Sequence, residues 1–80
     1  MTVKEAVVCR FLGIMAEYGI STNELAVRSG VTPSSVYSML DSRRKEVSIS
    51  LIKKLCDGLE ITLGQFFSHP IFDTLEQEIQ

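Results

Sequence analysis

The chain has 80 residues, 45% of them hydrophobic, and a formal net charge of −2. That length allows one small core and excludes a second domain of comparable size. No apolar run approaches the roughly 20 residues of a membrane span. The early apolar stretch is broken at Cys9-Arg10 and lacks a small-residue cleavage site, so no signal peptide and no membrane partner are expected, and a cytoplasmic location is.

Five helices are predicted in chain order. The first runs from about Val3 to Tyr18, where Thr2 and Glu5 have capping-box spacing and Gly19 stops the helix. Ala6, Val7, Arg10, Phe11, Ile14 and Met15 recur at helical spacing, with Arg10 at the margin of the apolar stripe. The second opens with Ser21-Thr22-Asn23-Glu24, another capping-box pattern, and ends near Ser29 before Gly30. The third opens with Thr32 as N-cap and Pro33 in the first turn, where a missing N–H costs nothing, and ends near Leu40. Asp41 to Glu46 reads as a polar loop. Ser48 caps the fourth helix, which carries Leu51, Ile52, Leu55 and Cys56, with Leu51 and Leu55 expected to be buried, and is expected to stop at Gly58. Thr62 and Gln65 make a third capping box for the fifth, with Leu63, Phe66 and Phe67. No strand is supported, so the expected class is all-α. Pro70 begins a candidate sixth helix whose stripe is Ile71, Phe72, Leu75 and Ile79. The expected division is a domain of residues 1–68 and a tail of residues 69–80.

Catalytic and metal chemistry find few residues. Cys9, Cys56 and His69 are the soft ligands, too few and too far apart for a zinc site, so no metal is expected. Both cysteines fall on apolar stripes and are expected as core fillers. His69 is expected in a turn. No nucleophile is paired with a base, and there is no glycine-rich phosphate loop, so neither an enzyme, a cofactor nor a small-molecule ligand is indicated.

Thr22 to Met39 is the most informative stretch. Leu25 and Ala26 face inward from its first helix, and Val31, Val36 and Met39 from its second. Ala26 is small enough for the second helix to cross closely, and Gly30 supplies the positive φ of the turn. Such a pair is a helix-turn-helix, which holds its second helix ready for the major groove of DNA. The charge is uneven in a way that bears on this. Through Gly58 the chain has eight basic and six acidic residues, whereas the remainder carries Glu60, Asp73, Glu76 and Glu78 and no Lys or Arg. DNA affinity follows local phosphate neutralisation rather than total charge.

With Leu25-Ala26, Gly30-Val31, Val36 and Met39, then Ser48-Ile49-Ser50-Leu51 and the closing Leu59-Glu60-Ile61-Thr62-Leu63-Gly64-Gln65-Phe66-Phe67, the chain resembles the phage repressor/Cro (XRE-like) helix-turn-helix family over about Val3 to Phe67. The resemblance implies a compact five-helix repressor-like bundle and a bacterial or phage transcription regulator, usually dimeric. It implies that the positions of Pro33, Ser34 and Ser38 read bases and that the loop after the third helix runs along the DNA backbone. Thr22 stands where the family commonly has Gln, and Leu40-Asp41-Ser42 where it commonly has Glu-Asn-Gly.

If Val36 and Met39 are buried, the opposite face of the third helix carries Pro33, Ser34, Tyr37 and Ser38, stacked by i, i+4 spacing. These are the candidate base contacts. None makes a bidentate base contact as Arg, Gln or Asn would; the serines and the Tyr37 ring offer single bonds, water bridges and thymine-methyl packing. Candidate phosphate contacts are Arg43, Arg44 and Lys45 in the loop and Thr22 and Thr32 at helix starts. Arg28, Lys53 and Lys54 read as solvated. The expected partners are double-stranded DNA and a second copy of the chain. A repressor is the first reading. An antitoxin whose main partner is a toxin, or an interaction module on the same fold, are the alternatives. The tail stripe would pack either on the domain's own core or against a second subunit.

Overall fold

The computed structural model describes residues 1–79, so Gln80 of the expected tail lies outside the described residues. Helix α1 spans Val3–Tyr18. Its capping box is complete: the Glu5 N–H donates to Thr2 Oγ1 at 3.1 Å and the Thr2 N–H to Glu5 Oε1 at 2.8 Å. The Thr2 N–H, and after it the Thr2 hydroxyl, favour the charged form and hold the Glu5 carboxyl below its ordinary value. Gly19 ends the helix at φ 68°, and Ile20 N–H donates to the Met15 carbonyl, which satisfies an orphan acceptor of the last turn.

Helix α2 is Thr22–Ser29, capped by Ser21 and closed by Gly30 at φ 69°. Only half of its expected capping box forms. Ser21 Oγ accepts from the Glu24 N–H, while the Glu24 carboxylate reaches forward one turn to Arg28 at 2.7 Å. Helix α3 is Pro33–Leu40, with Thr32 as N-cap. Helix α4 is Ile49–Gly58, capped by Ser48, and α5 is Leu63–Phe67, with the Thr62/Gln65 box complete. A 3-10 turn, Pro70–Asp73, follows; His69 Nδ1 accepts from the Ile71 N–H at its start. Among the described residues there is no strand, no group of side chains that would hold a metal ion, and no helix long and apolar enough to cross a membrane.

One core joins the helices: Val7, Phe11, Ile14 and Met15 from α1, Leu25 and Ala26 from α2, Val36 and Met39 from α3, Ile52, Leu55 and Cys56 from α4, and Leu59 and Phe66. Phe66 is its aromatic centre, with ring centroids 4.4 Å from Phe11, 5.0 Å from Phe67 and 5.8 Å from Phe72. Arg10, at the stripe margin as its spacing predicts, donates from Nε to the Phe66 carbonyl and from a terminal nitrogen to the Gln65 carbonyl. It thereby covers the last orphan carbonyls of α5.

Helix α4 stops at Gly58 as expected, but the left-handed residue of the reversal is Glu60 (φ 59°), and Gly58 also serves closeness: a Cβ there would lie 2.2 Å from Ser29 Oγ of α2. Three expectations are corrected. Cys9 is exposed, and only Cys56 fills the core, where burial pushes its thiol pKa up to about 11. Leu51 is half-buried rather than buried. The tail forms one 3-10 turn; Ile71, Phe72 and Leu75 are half-buried, Phe72 packs on Phe66 and Phe67, and Ile79 is 80% exposed.

Candidate nucleic-acid interface

Helix α2 packs on both α3 and α4, and this three-way contact sets the height of α3 above the body. Leu25, Ala26 and Val36 are completely buried at the crossing. Val31 N–H donates to the Ala26 carbonyl, closing the turn through Gly30. With Val36 and Met39 held inward, Pro33, Ser34, Tyr37 and Ser38 are all exposed, Tyr37 by 56%. The predicted polar face of α3 is therefore a continuous solvent-facing strip.

Thr32 and Thr22 stand at the starts of α3 and α2. The Thr32 hydroxyl is occupied locally: it accepts from the Ser35 N–H and lies 3.1 Å from Ser34 Oγ and 2.9 Å from Ser35 Oγ. It is a cap first, although a hydroxyl so placed still sits among the free N–H groups that make a helix start attractive to phosphate. Thr22 is the first residue of α2 and is half-buried.

The loop after α3 is more constrained than its composition suggests. Asp41 is the C-cap of α3 and accepts from the Arg43 backbone N–H at 2.9 Å. Its carboxylate also holds the Arg43 guanidinium in a two-point contact, Nε to Oδ1 at 3.1 Å and a terminal nitrogen to Oδ2 at 2.9 Å. Those bonds hold the Asp41 carboxyl down at about 2 and raise the Arg43 guanidinium. Asp41 therefore neutralises one of the three loop cations, which Asn would not do. Ser42 needs no left-handed backbone, since Glu60 is the non-glycine residue with positive φ among those described. The loop has taken a different turn from the one that Gly after Asn would make.

Lys4 anchors this turn and escaped sequence reasoning. It is 94% buried, and its ammonium donates to the Asp41 carbonyl at 3.0 Å and to the Arg44 carbonyl at 2.9 Å. The signal was present: Lys4, Val7 and Phe11 share one face by i, i+3, i+7 spacing. A lysine with a buried stem and a donating head fits such a face. Pinned this way, the loop keeps Arg44 beside α3. Arg44 and Ser38 line one small cleft of about 170 Å3, with Ser48 at the start of α4 on its other side. Lys45 is exposed.

The arrangement is that of a domain with a proud polar helix and a flanking cationic loop, and the fold that carries it has known counterparts. The model of the Cro/C1-type HTH DNA-binding domain matches residues 9–70. The chain belongs to that family. Its fold is also similar to the crystal structure of the prophage Lp1 protein 11, at 27% sequence identity and a TM-score of 0.81, over 94% of this chain and 99% of that one. No curated protein matches the sequence. As a member of the Cro/C1-type family the chain is a DNA-binding transcription regulator of the helix-turn-helix kind, and the polar face of α3 is the surface that family membership brings to attention.

Proposed function

We propose that the protein is a sequence-specific repressor that binds DNA as a homodimer, in the cytoplasm, and reads the major groove with α3. Residues 1–68 form the DNA-binding domain and residues 69–80 a tail. Pro33, Ser34, Tyr37 and Ser38 face the base edges, while Thr22, Thr32, Arg43, Arg44 and Lys45 meet phosphates. The observation that carries this reading is the asymmetry of α3, whose inner residues Val36 and Met39 are sealed in the core while its polar face is wholly exposed. Such a face offers hydroxyls and one ring but no bidentate donor. Much of the discrimination would then come through water-mediated bonds and DNA shape. One weak half-site gains little alone, and pairing two raises the effective concentration of the second. Half-site centres about 10–10.5 bp apart are expected.

Selection of bound duplexes from a random pool tests this. A pseudo-palindrome is expected, and Ser34→Ala and Ser38→Ala should each alter one or two positions per half-site with non-specific affinity nearly unchanged. In the loop, Lys45→Ala should lower affinity for all sequences and reduce the log–log salt slope by about 0.9. Arg43→Ala should do less, because the same change frees the Asp41 carboxylate. No enriched motif, together with a monomer at high concentration with DNA present, would refute the dimeric reader. It would favour an interaction module on this fold.

A further inference from the structure

A second cavity, of about 460 Å3, lies between the start of α1 and the loop of residues 41–46. We propose that it binds a small amphipathic organic anion, with an apolar body and a phosphate or carboxylate head, and that its occupant competes with DNA for Arg44 and Lys45. Its volume falls within the range of small-ligand sites, which are mostly apolar with a few convergent polar groups. Val8, Cys9 and Leu40 supply apolar lining, and Lys4, Arg44 and Lys45 supply three cations. Two carboxylates, Glu5 and Glu78, share the lining, leaving the cations in excess. Glu5 is engaged as the α1 cap by the Thr2 N–H.

The Lys4 ammonium is the second, independent feature. It is 94% buried and, among the described residues, its hydrogen-bond partners are two backbone carbonyls and no carboxylate. Carbonyl dipoles orient an ammonium but do not cancel its charge, and a buried charge favours an opposite one nearby. An anionic head supplies that charge, and an apolar body covers Val8 and Leu40. Since Arg44 and Lys45 belong to the loop assigned above to phosphates, a bound anion draws on the same cations. This regulatory half rests on the DNA-binding reading; the binding half does not.

Octyl phosphate, titrated into the full chain below its micelle concentration, is the probe, with octyl glucoside as its uncharged control. The expected result is saturable one-to-one binding that shifts the backbone amides of residues 4–9 and 40–45, with no such response to the glucoside. Cys9→Phe fills the cavity from the exposed side of α1. It should weaken octyl phosphate binding by about tenfold or more, while circular dichroism and DNA affinity stay as in the parent. Lys4→Met should weaken it as well. Octyl phosphate should release DNA from the parent chain and not from Cys9→Phe. Absence of saturation, equal binding of octyl glucoside, or unchanged binding in Cys9→Phe overturns the site. Retention of DNA by the ligand-saturated protein overturns the competition. If the parent chain binds no DNA at all, the DNA reading fails, and the octyl phosphate titration still decides the site.

Discussion

Gly58→Ala is the substitution that most directly tests how α2, and with it α3, is held in place. On an exposed helix the change would stabilise by about 1 kcal/mol, because Ala loses less backbone entropy than Gly and has the better propensity. Here the added methyl would meet Ser29 Oγ at 2.2 Å and the Ser29 Cα and N at 3.0 Å. The hydroxyl can rotate away, but the backbone atoms cannot. They move only if α2 shifts off α4, and α2 is also fastened to α3 through Leu25, Ala26 and Val36. Overpacking of this kind costs about 1–3 kcal/mol, and two rigid backbone contacts put it toward the upper end. The helix gain offsets part of that, so a net loss of about 1–2 kcal/mol is expected. For a domain of this size each kcal/mol moves the melting midpoint by roughly 4–8 °C. Thermal unfolding followed by circular dichroism reads it directly. Ser29→Ala alone should act in the opposite direction, since Ser29 Oγ is buried with no hydrogen-bond partner among the described residues and its removal relieves an unmet polar group. Combined with Gly58→Ala it should restore only part of the loss, the contacts at 3.0 Å being with backbone. A midpoint for Gly58→Ala equal to or above the parent's would refute the close-approach account of this glycine.

The loop clamp makes two further predictions. The Asp41 carboxyl, depressed to about 2 by the Arg43 side-chain and backbone donors, stabilises the folded loop fully above its ordinary carboxylate range, and that contribution is lost as pH falls from about 4 toward 2. Carboxyl NMR titration should show Asp41 titrating well below the ordinary aspartate value, and a midpoint near 4 would refute the contact. Lys4→Met leaves the Arg44 carbonyl without its donor, while the Asp41 carbonyl keeps only the Arg44 N–H, and should cost about 1–2 kcal/mol. Amide exchange should then quicken locally at residues 41–44, whereas unchanged exchange there would show that the loop does not depend on Lys4. The two thiols should separate kinetically in the folded protein. Cys9 is exposed and Cys56 buried with a thiol raised to about 11, so iodoacetamide at neutral pH should modify Cys9 in the folded protein and Cys56 only as the protein opens. Equal rates would refute the placement of Cys56.

What the sequence makes legible here is local chemistry. Thr2, Ser21, Thr32, Ser48 and Thr62 all cap the helices that their spacing announces. Gly19 and Gly30 take the left-handed conformation expected of them. Gly58 ends α4 as expected but has a second use that the letters do not reveal, since only the position of Ser29 shows that it also permits a close approach. Cys9 departs from its expected role. It neighbours Val8 in sequence but falls about 100° further round α1, beyond the buried arc set by Val7, Phe11 and Ile14. The tail stripe is legible as apolar but not as short. Phe72 finds its place on Phe66 and Phe67 within one 3-10 turn, leaving Ile79 with nothing to cover.

The candidate site divides along the same line. The exposure of Pro33, Ser34, Tyr37 and Ser38 follows from burying Val36 and Met39, because a helix has only one inward face. The three loop cations, equivalent as letters, are not equivalent as charges. Arg43 is held in a two-point contact by Asp41, Arg44 is fixed through its own carbonyl to Lys4 and shares a cleft with Ser38, and Lys45 is exposed. Asp41 thus has two opposing effects, lowering the charge that the loop offers to a phosphate while shaping the turn that Lys4 grips. Asp41→Asn separates them. It keeps an acceptor for the Arg43 N–H, removes the negative charge and frees the guanidinium. If the loop lies on DNA, this variant binds all duplexes more tightly and with a steeper salt dependence than the parent, by up to about 0.9 in log–log slope if the freed guanidinium neutralises one further phosphate. An unchanged slope, with the loop's amide exchange also unchanged, would place Arg43 away from the DNA backbone and leave Arg44 and Lys45 as the loop's phosphate-binding cations.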